Sequence, residues 1–211
     1  MTAGHWEKPF AKLIKIYQGK THPLEYKNIY QLLVMVVLSA QDSDAKINAL
    51  APDLFAAFPN MPALAKATQG DLLPYLSKVR GHLKKISWLL EIAQVVKTDA
   101  KIPKNMEALV ALKGIGRKSA NVIMREAGVQ AQGIMVDLHV LRVMDRIGVS
   151  HAKIGDLMER ELMDIFPAKM WKDLGMATSF LGRDICRPAN PDHESCIMNK
   201  VCEYCLNARI G

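Results

Sequence analysis

The chain has 211 residues, of which half are hydrophobic, and a formal net charge of +7. This hydrophobic content excludes an intrinsically disordered chain, and the length allows one large or two small domains with their own cores. No apolar stretch reaches the roughly 20 residues of a membrane-spanning helix, and the first residues, MTAGHWEKPF, contain no apolar signal segment. We therefore expect a cytoplasmic protein without a membrane contact, whose basic surplus favours a polyanionic partner such as nucleic acid.

Hydrophobic residues recur at helical spacing along most of the chain, and no segment has a convincing strand pattern. The sequence therefore predicts an all-α protein of about ten short helices. Asp42 or Ser43 is expected to cap the third helix, and Pro52 to bend or restart it. The tail from Cys186 is predicted to be a loop with one short turn. The predicted helices cover 6–18, 29–38, 44–58, 60–67, 70–76, 83–98, 105–112, 117–127, 138–147, 154–166 and 169–183.

The segment 112–137, LKGIGRKSANVIMREAGVQAQGIMVD, contains the most informative pattern. Gly114 and Gly116 precede a predicted helix, so the backbone can approach a ligand closely while the helix N-terminus offers unpaired N–H groups. Together these features favour an anion, usually a phosphate. Lys118 lies in the first turn of the helix, and Asp137 follows an apolar run. A nucleotide-binding fold would need a strand before the glycines, where this chain has a predicted helix.

Each of these residues also has an ordinary structural explanation. The glycines can form a plain tight turn, Lys118 can be a solvated surface lysine, and Asp137 can be the N-cap of the next helix. The chemical interpretation depends on their order. An amine at a helix N-terminus beside Arg117 is favoured in the neutral, nucleophilic form, and a carboxylate emerging from an apolar run can face a cationic centre.

The segments LKGIGRKSANVI and MVDLHVLRV resemble the helix–hairpin–helix DNA glycosylases, specifically their endonuclease III branch. The resemblance extends from about Leu32 to Tyr204 and includes LLVMVVLSAQDSD, LGRDIC and SCIMNKVCEY. It implies a two-domain all-α fold with a central cleft for DNA. One domain would be a helical barrel of residues 23–134, and the other would combine residues 1–22 with 135–211.

The resemblance also implies an activity in base excision repair. The protein would be a bifunctional DNA glycosylase and AP lyase that removes damaged, oxidised pyrimidines from duplex DNA. Lys118 would attack C1′ of the deoxyribose and form a Schiff base, after which β-elimination nicks the strand. Asp137 would stabilise the positive charge on the sugar and accept protons from the lysine. We expect a monomer whose partner is double-stranded DNA, located at the nucleoid if the source is prokaryotic.

Four further residues obtain roles from the resemblance. Gln41 would enter the duplex where the damaged base leaves, and His82 would be a second wedge at a position where the family often has an apolar residue. Asp44 would lie near the base pocket, and His139 would support Asp137. The alternatives are an exposed loop histidine for His82 and, for Asp44, a first-turn acid favoured by the helix dipole.

The glycine hairpin differs from the family at one position. Lys113 stands where the family usually has proline. It would either contact a DNA phosphate together with Gly114, Gly116 and Arg117 or point into solvent.

All four cysteines lie within the last 26 residues, which favours a metal site over disulfides in a reducing compartment. The resembled family binds a [4Fe–4S] cluster through C-x6-C-x2-C-x5-C, whereas this chain has C-x9-C-x5-C-x2-C. Cys186, Cys196 and Cys202 match the first, third and fourth ligands, His193 occupies the second position, and Cys205 is additional. The fourth ligand is therefore Cys205 or His193, with a Cys₄ zinc site or a metal-free loop as alternatives.

Two other functions compete with this interpretation. A monofunctional mismatch or adenine-type glycosylase would not need Lys118, and we do not expect the additional C-terminal domain of the adenine enzymes in a chain of this length. A non-enzymatic helix–hairpin–helix DNA-binding module would need the glycine hairpin without Lys118 and Asp137.

Overall fold

The computed structural model describes residues 4–207, which form twelve α-helices and one short 3-10 helix without a strand in that range. The predicted all-α fold is confirmed. Within these residues, no helix combines the length and apolar character needed to cross a bilayer. The helices are α1 Gly4–Ile16, α2 Ile29–Leu38, α3 Asp44–Ala57, α4 Met61–Ala65, α5 Gln69–Leu76, α6 His82–Val96, α7 Met106–Val110, α8 Arg117–Glu126, α9 Leu138–Ile147, α10 Gly155–Ile165, α11 Ala168–Asp184 and α12 Glu203–Asn207, and the 3-10 helix is Asp99–Lys101.

Six helices begin at a polar residue whose side chain accepts a hydrogen bond from a backbone N–H in the first turn. Such caps satisfy one of the donors that every helix start leaves unpaired. The sequence therefore fixes these starts locally, before any tertiary packing. The capping residues are Asn28, Ser43, Asn60, Thr68, Asn105 and Asp137.

The structure decides between expected alternatives at two positions. Ser43, and not Asp42, caps α3, because the Ser43 side chain accepts the N–H of Lys46 while the Asp42 carboxylate is bonded elsewhere. Pro52 does not restart α3, which is continuous from Asp44 to Ala57. Pro52 lies on the exposed face, where water can satisfy the carbonyl that loses its backbone partner.

The described residues form two compact units. The middle unit spans Thr21–Val129, and the terminal unit combines the residues up to Lys20 with those from Gln130 onward. The domain boundaries expected from the sequence, 23–134 and 1–22 plus 135–211, stay a prediction.

Helix α2 lies at the centre of the hydrophobic core of the middle unit. All but two of its ten residues are buried, and it contacts α3, α6 and α8. A helix that is apolar on every side is stable only when other elements surround it. Together α2, α6 and α8 form the frame that positions the loops at their ends.

The terminal unit is built on α9 and α11, which pack together and are joined by α1, α10 and α12. Gly175 permits a close approach, because a Cβ there would lie 2.1 Å from the carbonyl oxygen of Met135. This approach presses the segment before Asp137 against α11.

Candidate active site and cysteine-lined cavity

The glycine hairpin lies between α7 and α8. Gly114 has φ +77°, and a Cβ at this position would lie 2.5 Å from Cε3 of Trp88. Leu112 and Ile115 are buried and anchor the hairpin on either side. Gly116 is the N-cap of α8 and supplies no side-chain hydrogen bond. The first amides of α8 consequently face a site suited to an anion.

Lys118 lies in the first turn of α8, and its side chain is exposed. The opposite face of the helix is anchored by Val122 and Ile123, which are buried. The buried stripe of α8 begins only at Ala120, which leaves Lys118 at the surface. The amine is therefore open to a large ligand such as DNA.

The other predicted hairpin contacts lie beside this lysine. Lys113, Gly114 and Gly116 are exposed, and Arg117 is half-buried. Two cationic side chains and the amides of a helix start are thus collected on one short segment. This arrangement suits a phosphate backbone.

Asp137 is the N-cap of α9 and is held through both carboxylate oxygens. Oδ1 accepts the N–H of Val140 at 2.8 Å, and Oδ2 accepts the hydroxyl of Ser179 at 2.7 Å. Ser179 is only 1% exposed. The sequence reasoning missed Ser179, since helical spacing places it on the buried face of α11 without indicating what it contacts.

His139 lies one turn into α9 and contacts Arg142. The two side chains are 3.1 Å apart at His139 Nδ1 and Arg142 Nη2, and Arg142 also donates to the carbonyls of Gly182 and Cys186. Because arginine has only donors, Nδ1 of His139 acts as the acceptor. His139 therefore belongs to a hydrogen-bonded link between α9 and the end of α11.

The two expected wedge residues lie at loop ends of the middle unit. Gln41 is exposed and has φ +61°, in the left-handed region that non-glycine residues rarely adopt. His82 is half-buried at the first position of α6. The next residue, Leu83, is 53% exposed, so an apolar side chain is available beside the histidine.

Asp44 is half-buried at the start of α3. A second ionisable group, His22, was not selected from the sequence because it is a single histidine in a loop. Burial lowers the pKa of the His22 imidazole, and the nearby charges of Glu126 and Asp44 oppose that shift. The charge of Lys118 also reaches His22, so these groups form one electrostatic neighbourhood. The hydroxyl of Tyr26 donates to Glu126 at its edge.

The four cysteines line a single cavity of about 20 Å³ in the terminal unit, together with His193. Cys202 and Cys205 are buried, and Cys186 and Cys196 are half-buried. Burial raises the pKa of the Cys196 thiol to about 11 and also raises the pKa of Cys202. Among residues 4–207, no three His, Cys, Asp or Glu side chains are arranged to hold one metal ion.

Cationic and aromatic groups surround this cavity. Arg146 donates to Sγ of Cys186 at 3.4 Å and lies over the ring of Tyr204, with 4.9 Å between guanidinium carbon and ring centroid. The ring of His193 also stacks on Tyr204, with 5.5 Å between the ring centroids. Both His193 and Cys205, which is 2% exposed, line the cavity, and the histidine ring additionally packs on Tyr204.

The donor set around the cavity fits an iron–sulfur cluster. A cubane cluster binds each thiolate at a different iron, so its ligands surround a shared space and do not converge on one point. A zinc site instead needs four donors within about 2.3 Å of one ion. Four cysteines around one cavity match the first requirement.

Comparisons with known proteins place this chain among DNA repair proteins. Residues 34–168 match the family model of the HhH-GPD superfamily base excision DNA repair proteins. Endonuclease III of Synechocystis sp. is 31% identical, over 90% of this chain and 88% of its own length. A non-covalent endonuclease III–DNA complex has a TM-score of 0.87 at 26% identity and covers 100% of both chains. A trapped endonuclease III–DNA covalent intermediate has a TM-score of 0.86 at 26% identity over 99% of both chains.

Proposed function

Since the chain belongs to the endonuclease III family of the HhH-GPD superfamily, we propose that it is a bifunctional DNA glycosylase and AP lyase that removes damaged pyrimidines from duplex DNA. The observation that carries the proposal is the exposed amine of Lys118 in the first turn of α8. It directly follows a hairpin suited to a DNA phosphate, which would bring a deoxyribose within reach. The trapped covalent intermediate of a similar endonuclease III supports a nucleophilic mechanism.

In the proposed reaction, the unprotonated Nζ of Lys118 attacks C1′ of the damaged nucleotide. The C1′–N bond breaks, and its electron pair leaves with the base, which takes up a proton. Opening of the sugar ring gives a protonated imine between Lys118 and C1′. Loss of a C2′ proton then breaks the C3′–O bond, so that the phosphate leaves and the strand is nicked.

Asp137 has the role of an electrostatic stabiliser in this proposal. Positive charge develops on the sugar as the base departs, and a carboxylate stabilises it best when it need not reorient. The hydrogen bonds from Val140 and Ser179 hold both oxygens of Asp137 in place. The same carboxylate would accept the proton that the attacking amine releases.

DNA binding is assigned to the hairpin and to the two loop ends. Lys113, Arg117 and the amides at Gly114 and Gly116 would hold phosphates, while Gln41 and His82 would fill the space that the extruded base leaves. Asp44 would line the base pocket. His139 would orient Arg142, which bonds α9 to the carbonyl of Gly182 and so supports the helix that Asp137 caps.

We further propose that the tail holds a [4Fe–4S] cluster through Cys186, Cys196, Cys202 and Cys205. The burial of Cys205 at the cavity and the stacking of His193 on Tyr204 favour the cysteine as the fourth ligand. When bound, the cluster would cross-link the tail and take no part in base removal.

Borohydride trapping tests the enzymatic proposal, because it reduces the imine to a stable amine. Wild-type protein should form a covalent complex with duplexes that contain an oxidised pyrimidine or an abasic site. Lys118→Ala should abolish trapping and retain DNA binding. Lys66→Ala, an exposed lysine of the same unit, is the matched control and should trap like the wild type.

The same experiment separates the competing functions. Base release without trapping would indicate a monofunctional glycosylase, and binding without either reaction would indicate a DNA-binding module. Trapping by Lys118→Ala at the wild-type level would remove this residue from the nucleophile role.

A further inference from the structure

Lys85, in α6, has a buried ammonium group that the proposed chemistry does not use. The residue is 5% exposed, and Nζ donates to the carbonyls of Leu38 at 2.7 Å and Ala40 at 2.6 Å. Its third contact is the carboxylate of Asp42 at 3.4 Å. All three N–H donors of the ammonium therefore have an acceptor. Lysine is almost never fully buried unless it is paired in this way.

The Asp42 carboxylate joins two loops that are distant in sequence. Oδ2, which faces Lys85, also accepts the backbone N–H of Arg80 at 2.7 Å, and Oδ1 accepts from Nζ of Lys46 at 2.6 Å. Burial acts to raise the pKa of Asp42, but the hydrogen bonds from Lys46 and Arg80 and the neighbouring positive charges outweigh it and lower the pKa. The carboxylate therefore stays ionised and keeps its bonds at neutral pH.

The residues that form these contacts are sequence neighbours of the two expected wedge residues. Gln41 lies between Ala40 and Asp42, both of which bond to Lys85. Arg80, which is bonded to Asp42, lies two residues before His82. A non-glycine residue such as Gln41 keeps a left-handed backbone conformation only where the surrounding structure holds it there.

We infer that Lys85 and Asp42 are positioning residues that hold Gln41 and His82 ready to enter the duplex. The inference rests on the proposed function, since it assigns the two wedges to base extrusion. Unstacking a base already consumes binding energy. Loops that are ordered before DNA binds do not have to be ordered during that step, so more of the binding energy remains for extrusion.

Two variants test this inference. Lys85→Met keeps the length of the side chain and removes its charge, while Asp42→Asn removes the charge that links the loops. Each protein is bound to a duplex with 2-aminopurine beside a tetrahydrofuran abasic-site analogue, and the fluorescence increase reports unstacking. We expect both variants to bind this duplex and to give a much smaller increase than the wild type. Lys66→Met, which changes an exposed lysine of the same unit that takes no part in these bonds, should behave as the wild type.

The rate of base release provides a second readout. A purely structural role for Lys85 and Asp42 would lower this rate equally on paired and unpaired lesion duplexes, whereas a role in extrusion would lower it only on the paired duplex. On a paired lesion duplex, the single-turnover rate of both variants should fall about 10- to 100-fold, as expected for losing a hydrogen bond to a charged group. On a duplex with the lesion inside an unpaired bubble, where extrusion is not needed, the rate should stay near that of the wild type.

The inference would be overturned if the variants lost equal amounts of rate on the paired and bubble duplexes. It would also be overturned if both variants gave the same increase in 2-aminopurine fluorescence as the wild type. If Lys85→Met fails to fold, Asp42→Asn decides alone, because it leaves Lys85 its two carbonyl acceptors. A wild-type protein that unstacks the duplex without releasing base would refute the proposed activity, and the fluorescence comparison would still test the positioning role.

Discussion

At the scale of single residues, the two oxygens of Asp137 have different partners with different origins. The bond from the Val140 N–H is a helix cap, which the local sequence encodes. The bond from the Ser179 hydroxyl comes from a residue 42 positions away, on α11. Capping alone leaves Oδ2 without a fixed donor, so Ser179 completes the orientation of the carboxylate.

Ser179→Ala should therefore slow base removal with little change in DNA affinity. Loss of a hydrogen bond to a charged group is worth about 1.5–3 kcal/mol, so we expect the single-turnover rate to fall by about tenfold or more. The measurement is single-turnover base release, with DNA affinity determined separately by fluorescence anisotropy.

Thr178→Val is the matched control for this change. Thr178 is equally buried, but its hydroxyl bonds to the Leu174 carbonyl within its own helix and does not touch Asp137. A rate loss of similar size in both variants would assign the effect to helix packing and would remove Ser179 from the orientation of Asp137.

At the scale of elements, the conformation of the hairpin between α7 and α8 depends on one glycine. Gly114 combines a left-handed φ with contact against the Trp88 ring. The ring of Trp88 is itself covered by Lys84, whose Nζ lies 5.0 Å from the ring centroid. An added side chain at Gly114 would thus have to displace a ring that Lys84 also contacts.

Gly114→Ala should weaken DNA binding by about tenfold or more, because the hairpin must shift to remove the clash as well as bear the backbone strain. Gly128→Ala is the control: Gly128 also has a left-handed φ, +71°, but nothing lies within 4 Å of the position of a Cβ. Both proteins are compared by anisotropy on an abasic-analogue duplex and by thermal unfolding. Equal affinities for the two variants would contradict a packing requirement at Gly114.

The elements also show which parts of the structure the sequence could predict. The bounds of α2 and α9 agree with the predicted helices, because periodic apolar residues and a polar cap mark them locally. The tail was expected to be a loop with a single turn, and it contains α12. A helix of only five residues, too short for a long apolar stripe, has no clear local pattern.

At the scale of the whole molecule, sequence reasoning was limited by contacts between distant residues. The bonds of Lys85 to the segment 38–42 span more than forty positions, and no local pattern predicts them. The assembly of one unit from both ends of the chain likewise has no signal in composition. The candidate nucleophile and carboxylate were accessible from the sequence because each adjoins a helix start with a recognisable pattern.

The cysteine tail is attached to the rest of the terminal unit through α12, which packs on α9. A carboxylate of Glu203 lies directly against Gly148 at the end of α9, where a Cβ would be 2.1 Å from the Glu203 carboxyl carbon. Cys205 follows on the buried side of the same short helix. A cluster ligated by Cys205 would therefore fasten α12, and with it the tail, to α9.

Anaerobically purified protein should be brown and contain iron and acid-labile sulfide in about equal amounts, as a cubane cluster requires. Cys205→Ser should remove most of the colour and lower the temperature of thermal unfolding, because the metal link between tail and α9 is lost. His193→Ala should retain the colour, since its ring is stacked on Tyr204 and is not needed as a ligand. Bleaching by His193→Ala but not by Cys205→Ser would exchange the two assignments. Colourless protein with bound zinc would replace the cluster by a four-thiolate site, and colourless protein without metal would leave the tail to fold through α12 alone.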